Sequence, residues 1–186
     1  MKNKIAIFVC GAGGSGKSTF TKTHLNDFIN IDVDIIYEDL LISNKLGLKI
    51  KDFNKNECIL AANLFEKSKK LNDIKYEESI KTGKNIVINT IGMDSNIILF
   101  QRKHLENLGY TTHMIILYAD LEVCIDRVER RERVYNQSII KDSWYRCYNN
   151  IGTYKKEFDN KFKFVYDINN FILDDFIKLK HNINLI

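Results

Sequence analysis

Residues Gly11-Ala12-Gly13-Gly14-Ser15-Gly16-Lys17-Ser18 satisfy the pattern G-x-x-x-x-G-K-[ST] in full. The glycines open backbone angles closed to other residues, so successive N–H groups can turn inward and wrap an anion. The apolar run Ile5 to Cys10 precedes this loop and a helical pattern follows it, which aims the positive end of a helix dipole at the same space. In such a loop Gly11, Gly13, Gly14, Ser15, Gly16 and Thr19 surround the phosphates. Lys17 adds a mobile, solvent-directed charge for the β- and γ-phosphates, and the Ser18 hydroxyl joins a Mg²⁺ shell. The expected ligands are therefore ATP and Mg²⁺, against the plainer alternative of a glycine turn that binds nothing.

Two further groups of residues bear on the chemistry. Asp32 and Asp34 close the second expected strand, on the edge of a parallel sheet where the phosphate loop also opens. Two carboxylates there can orient Mg²⁺ waters and take a proton from an attacking hydroxyl. The structural alternative for Asp34 is a helix N-cap, and the two roles can coexist. Arg127, Arg130 and Arg131 share one helix face, with Arg133 just beyond. Guanidinium groups pair with phosphate oxygens in bidentate fashion and neutralise charge in a transition state. Glu129 and Glu132 interleave the cluster, so its alternative is a solvated face laced with ion pairs.

The elements needed to position these residues follow from periodicity. Strands are expected over 5–10, 28–32, 85–90, 112–118 and 162–166, and helices over 17–28, 35–46, 57–81, 95–108, 138–158 and 173–179, with another after Asp120. Asp94 or Ser95 caps the helix that ends before Gly109, and Asp120 caps the one bearing Cys124 and Val128. Along the helix over 57–81, Ile59, Leu60, Leu64, Leu71 and Ile74 recur at helical spacing. This alternation predicts an α/β fold, a three-layer sandwich with a parallel five-stranded sheet and helices on both faces. With 186 residues, one domain spanning 1–186 is expected, carrying an arginine-bearing lid at roughly 127–140. That size leaves no room for the extra domains of most motors and transporters.

Composition excludes several classes. Hydrophobic and charged fractions of 45% and 28% are ordinary for globular chains, and no stretch reaches the roughly 18 apolar residues of a membrane span. The N-terminal apolar run is shorter than a signal-peptide core, so a cytoplasmic location is expected. Cys10, Cys58, Cys124 and Cys147 have no metal-ligand spacing and are expected as buried or half-buried thiols. A net charge of +4 permits an anionic substrate without demanding nucleic acid. Tyr145, Tyr148 and Tyr154, with Trp144, Arg146, Lys155 and Lys156 nearby, either stack bases and grip a backbone or belong to the core. The four histidines are scattered, and proline is absent, leaving turns to Gly, Asn and Asp.

Taken in order, Gly11 to Ser18, Asn30-Ile31-Asp32-Val33-Asp34, Ile86 to Thr90, Gly109-Tyr110 and Arg127-Val128-Glu129-Arg130-Arg131 with Val134 resemble the polynucleotide kinase and zeta toxin group of P-loop kinases. The resemblance implies that Asp34 is the general base, that Arg131 with Arg127 belongs to the lid, and that Lys17 serves the transferred phosphate. It implies a kinase acting on a hydroxyl of a nucleotide, a nucleic-acid end or a modified base. A zeta-toxin-like nucleotide-sugar kinase and a nucleoside or mononucleotide kinase are alternatives, as is a nucleotide-dependent regulatory module. The chain departs from the group at Tyr37, where bacteriophage polynucleotide kinases carry an arginine, at Val134-Tyr135 in place of Val-Pro, and at Asn89-Thr90 in place of an acidic strand end.

Overall fold

The computed structural model describes residues 4–131 and 136–166; Arg133, Val134, Tyr135, His181 and the helix expected over 173–179 lie outside these. Five strands, β1 (Lys4–Cys10), β2 (Ile29–Ile31), β3 (Ile86–Thr90), β4 (Tyr110–Tyr118) and β5 (Phe162–Tyr166), form one parallel sheet in the order β2-β3-β1-β4-β5. The helices are α1 (Lys17–His24), α2 (Val33–Ser43), α3 (Lys55–Lys81), α4 (Ser95–Asn107), α5 (Leu121–Glu129), α6 (Gln137–Asn149) and α7 (Ile151–Phe158).

Side chains alternate across β1, so the strand feeds two cores. Ala6, Phe8 and Cys10 pack with Ile98 and Leu105 of α4 and with Tyr154 and Phe158 of α7. Ile5, Ile7 and Val9 pack with Phe20 of α1, Leu25 and β4 residues Ile115 and Leu117 on the other face. Because β1 lies between β3 and β4, its C-terminal end, and the loop that follows, sit at the middle of the edge where every strand stops. No described helix is long and apolar enough to cross a membrane.

Several expected boundaries move, each for a local reason. Asp32, not Asp34, is the N-cap of α2: its carboxylate accepts from the Asp34 N–H at 3.0 Å, which starts the helix at Val33. Asn54 caps α3 and is answered by Glu57 in a capping box, so that helix begins at Lys55. β4 begins at Tyr110, which pairs in register with Lys4. Asp120 sits at the N-cap of α5 without a side-chain cap bond, and its carboxylate accepts instead from the Tyr166 hydroxyl at 2.9 Å.

The helix expected over 138–158 is two helices broken at Asn150, whose side-chain amide donates to the Arg146 carbonyl of α6 and to the carbonyls of Gly92 and Met93. Of the apolar series on α3 only Leu64 is buried, while Ile59, Leu60, Leu71 and Ile74 are exposed. Cys10, Cys124 and Cys147 are buried free thiols, and Cys58 is exposed.

His113 of β4 faces Ile7 in register, and its buried Nδ1 has no hydrogen-bond partner among the described residues. Burial, aided by the charge of Lys161, pushes its imidazole down to about 4. An unfolded histidine titrates near about 6.5, so the folded state loses stability as pH falls from there towards 4 and keeps it above. The expected loss between pH 7 and pH 4 from this residue is about 3 kcal/mol. Denaturant melts across that range should show a shallower acid slope for His113→Gln than for the parent; identical slopes would remove His113 as the cause.

Candidate functional site

The loop after β1 is shaped by what its backbone must avoid. Gly14 has φ 84, and a Cβ there would run into the Cys124 carbonyl oxygen, with Cys124 Cα at 2.8 Å. Gly16, at φ 98, then turns the chain into α1 as its N-cap, without any side-chain cap bond. The Gly11 N–H donates to the Ile91 carbonyl at 3.3 Å, which ties the start of the loop to the connection after β3. Ser15 is wholly buried, and its Oγ has no hydrogen-bond partner among the described residues.

Lys17 differs from expectation. Its Nζ turns back onto the loop and donates to the carbonyls of Gly11 at 2.6 Å and Ala12 at 3.0 Å, not outward to solvent. Burial lowers its pKa, and the Asp34 and Asp32 carboxylates oppose that shift. The ammonium thus lies among loop dipoles, and a phosphate oxygen is a stronger partner for it than a neutral carbonyl.

These groups open on a cavity of about 460 Å³, a size typical of small-molecule sites. Gly13, Gly14, Gly16, Lys17 and Ser18 line one part of it, and Asp32 and Asp34 another. Asp32 is buried and occupied as a helix cap, whereas Asp34 is exposed. Gly11, Ser15 and Thr19 do not line the cavity; the first two are buried and Thr19 is exposed.

The arginines separate into three environments. Arg131 lines the cavity. Arg127 does not, and its Nη1 lies 3.5 Å from the Gly14 carbonyl, against the back of the loop. Arg130 faces solvent and pairs with Asp126 at 2.8 Å, the ion-paired alternative for that residue.

Other lining residues are not expected at this site from the sequence, where Arg146 belongs to a candidate nucleic-acid grip and Asp94 to a helix cap. Arg146 reaches the cavity from α6, and Met93, Asp94 and Ile97 reach it from the connection after β3 and the start of α4. Only sheet topology, which brings that connection beside the phosphate loop, could have found them. Tyr148 and Tyr154 turn inward, with Tyr154 fully buried and its hydroxyl donating to Gly92, so they form no base-stacking platform.

The donor set suits a nucleotide triphosphate with Mg²⁺. No cluster of three or more His, Cys, Asp or Glu suited to a metal ion occurs among the described residues, and Mg²⁺ needs none where phosphates supply ligands beside one or two protein oxygens. The Ser18 hydroxyl and the Asp32 carboxylate are such oxygens on the cavity wall.

Residues 7–144 match the family model described as AAA domain. Among curated proteins none matches the chain. Among solved structures, a candidate kinase of Chloroflexus aurantiacus J-10-fl superposes with a TM-score of 0.66 at 10% identity, covering 98% of this chain and 96% of the other. The PezAT chromosomal toxin–antitoxin system of Streptococcus pneumoniae gives 0.62 at 14% identity over 89% of this chain and 70% of the other. The AvrRxo1-ORF1:-ORF2 complex with ATP gives 0.69 at 14% over 88% and 55%. The shared fold is thus that of P-loop kinases.

The approach of α5 to Gly14 supplies a test. Gly14→Ala should lower the melting temperature by about 3 °C or more, since a side chain in the left-handed region alone costs about 1–3 kcal/mol. Gly13→Ala, whose Cβ would meet only Val128 Cγ2 at 3.9 Å, should melt with the parent. Equal melting of both variants would show that α5 does not press on Gly14.

Proposed function

The chain belongs to the P-loop family described as AAA domain, and from that premise we propose that it is an ATP-dependent kinase passing the γ-phosphate to a hydroxyl of a nucleotide, a nucleic-acid end or a modified base. The observation that carries this reading is the placement of the phosphate loop, Asp34 and Arg131 around one cavity. A nucleotide switch needs no carboxylate turned towards an incoming hydroxyl, and the exposure of Asp34 on the cavity wall favours transfer over switching. The AvrRxo1 neighbour, solved with ATP, supports the donor.

In this mechanism the loop N–H groups and Lys17 hold the β- and γ-phosphates. Ser18 and Asp32 would hold Mg²⁺, which would supply positive charge to offset that of the phosphates. Asp34 accepts the proton of the acceptor hydroxyl as the hydroxyl oxygen attacks the γ-phosphorus and the bond from that phosphorus to the β–γ bridging oxygen breaks, releasing ADP. Arg131 meets the charge that develops on the transferring group, and Arg127 steadies the loop from behind at Gly14. Residues 1–186 act as one kinase domain, with the lid at about 127–140.

The reading is tested by following ADP formation with and without a panel of hydroxyl acceptors, from nucleosides through oligonucleotides to nucleotide sugars. Asp34→Asn should keep ATP binding and lose transfer by about 10²- to 10⁴-fold. Asp32→Asn should keep its cap, because Asn caps as well as Asp, and chiefly raise the Mg²⁺ requirement. A fully active Asp34→Asn protein would sink the assignment of the base.

Among the arginines, Arg131→Ala should reduce kcat by about 10²-fold or more, while Arg130→Ala, which removes only a surface pair with Asp126, should leave it unchanged. Equal losses in the two variants, read by steady-state kinetics, would displace Arg131 from the transition state.

A further inference from the structure

Helices α6 and α7 cross the edge of the sheet where β1, β3 and β4 end, and their side chains hold polar backbone atoms there. The Tyr148 hydroxyl donates to the Leu117 carbonyl at 2.8 Å and accepts from the Ala12 N–H at 3.3 Å. The Asn150 amide donates to the carbonyls of Gly92 at 3.2 Å and Met93 at 2.9 Å, and the Tyr154 hydroxyl also donates to Gly92, at 2.8 Å. These bonds end on two different segments of the cavity wall. Ala12 belongs to the phosphate loop, and Gly92 and Met93 belong to the β3–α4 connection that carries Asp94 and leads to Ile97.

Ala12 is fully buried, so its N–H has no water to turn to, and Tyr148 is the partner that fixes its direction. Since the phenol commits its proton to Leu117, a lone pair is what it offers Ala12. Burial pushes the Tyr148 pKa up, which keeps that proton in place through the neutral range. The ring is held independently of its hydroxyl by Tyr118 at 4.7 Å and Trp144 at 5.0 Å between centroids. Removing the oxygen therefore leaves the packing and frees one N–H at the start of the loop.

We infer that Tyr148 and Asn150 are positioning residues with separate duties, Tyr148 setting the phosphate loop for the donor nucleotide and Asn150 setting the β3–α4 connection, which lines the same cavity as Asp34, for the acceptor that Asp34 would deprotonate. Neither touches the reacting atoms. The inference rests on the kinase reading above, and it adds that one helical pair aligns the two substrates through bonds that can be cut one at a time.

The experiment compares the parent with Tyr148→Phe and Asn150→Ala by calorimetric titration with Mg-ATP and by steady-state kinetics on the acceptor that the panel identifies. Tyr148→Phe should weaken ATP binding about tenfold and leave the acceptor KM in place, because a loop no longer held at Ala12 keeps its nucleotide-binding conformation only part of the time and the apparent affinity falls by that fraction. Asn150→Ala should raise the acceptor KM and leave ATP binding in place. A Tyr148→Phe protein that binds ATP as tightly as the parent, or two variants that weaken both substrates alike, would overturn the inference. Failure of the parent to bind ATP would overturn the kinase reading and this one with it. Should a variant not fold, hydrogen exchange on the parent decides: the Ala12 amide should exchange slowly, and fast exchange at Ala12 would refute the Tyr148 pin.

Discussion

At Gly14 the phosphate loop passes so close to the start of α5 that the space holds a backbone and no side chain. This contact fixes more than the loop. It lets Cys124 and Val128 of α5 pack against Ala12, and the same cluster takes in Ala119 and Ile140 of α6. The positions of Arg127 and Arg131 follow, since both are on or just past α5 and the helix can lie in only one place against the loop. The glycine pattern therefore does two jobs: it opens the backbone for an anion and it admits the helix that brings the cations.

A second constraint acts from the other side of β1. The end of β3 carries Asn89, whose amide donates to Asn30 at 2.8 Å and whose carbonyl oxygen accepts from Thr21 at 3.1 Å, so β2, β3 and α1 are joined by neutral groups. A buried polar chain of this kind stabilises only when each member is satisfied, and here Asn89 is bonded at both ends of its amide. With no carboxylate at that strand end, the acidic groups acting on Lys17 come from the end of β2 and the first turn of α2. Asp32 is held in place by its own cap bond, whereas Asp34 is exposed on the first turn of α2.

The sequence made the architecture legible where a pattern had one physical solution. The run 5–10, the glycine loop and the helix after it could be placed because a buried strand, an anion cradle and a helix start each leave distinct residue types. Asp94 caps its helix as the pattern predicts, whereas Asp32, Asn54 and Asn136 cap helices that begin one or two residues before the predicted starts. What stayed hidden depended on distant partners. The break at Asn150 lies where its side-chain amide meets carbonyls near residue 92, and Arg146 gains its place only because α6 crosses the sheet edge. Spacing put Arg130 on a face with Arg127 and Arg131, but an acid four residues earlier was enough to hold it at the surface.

The cavity's cations are also coupled to one another. Arg131 follows α5 and Arg146 sits on α6, and these two helices meet through Val128 and Ile140 in the cluster that includes Ala12. Arg146 is only loosely paired with Asp142, at 3.5 Å on an exposed face, so that pair contributes little and its charge is available to the cavity. Any shift of α6 would therefore move Arg146 and the Tyr148 bond to the loop together. The placement of Arg131 and Arg146 on the cavity wall is therefore set together, by how two helices seat against Ala12.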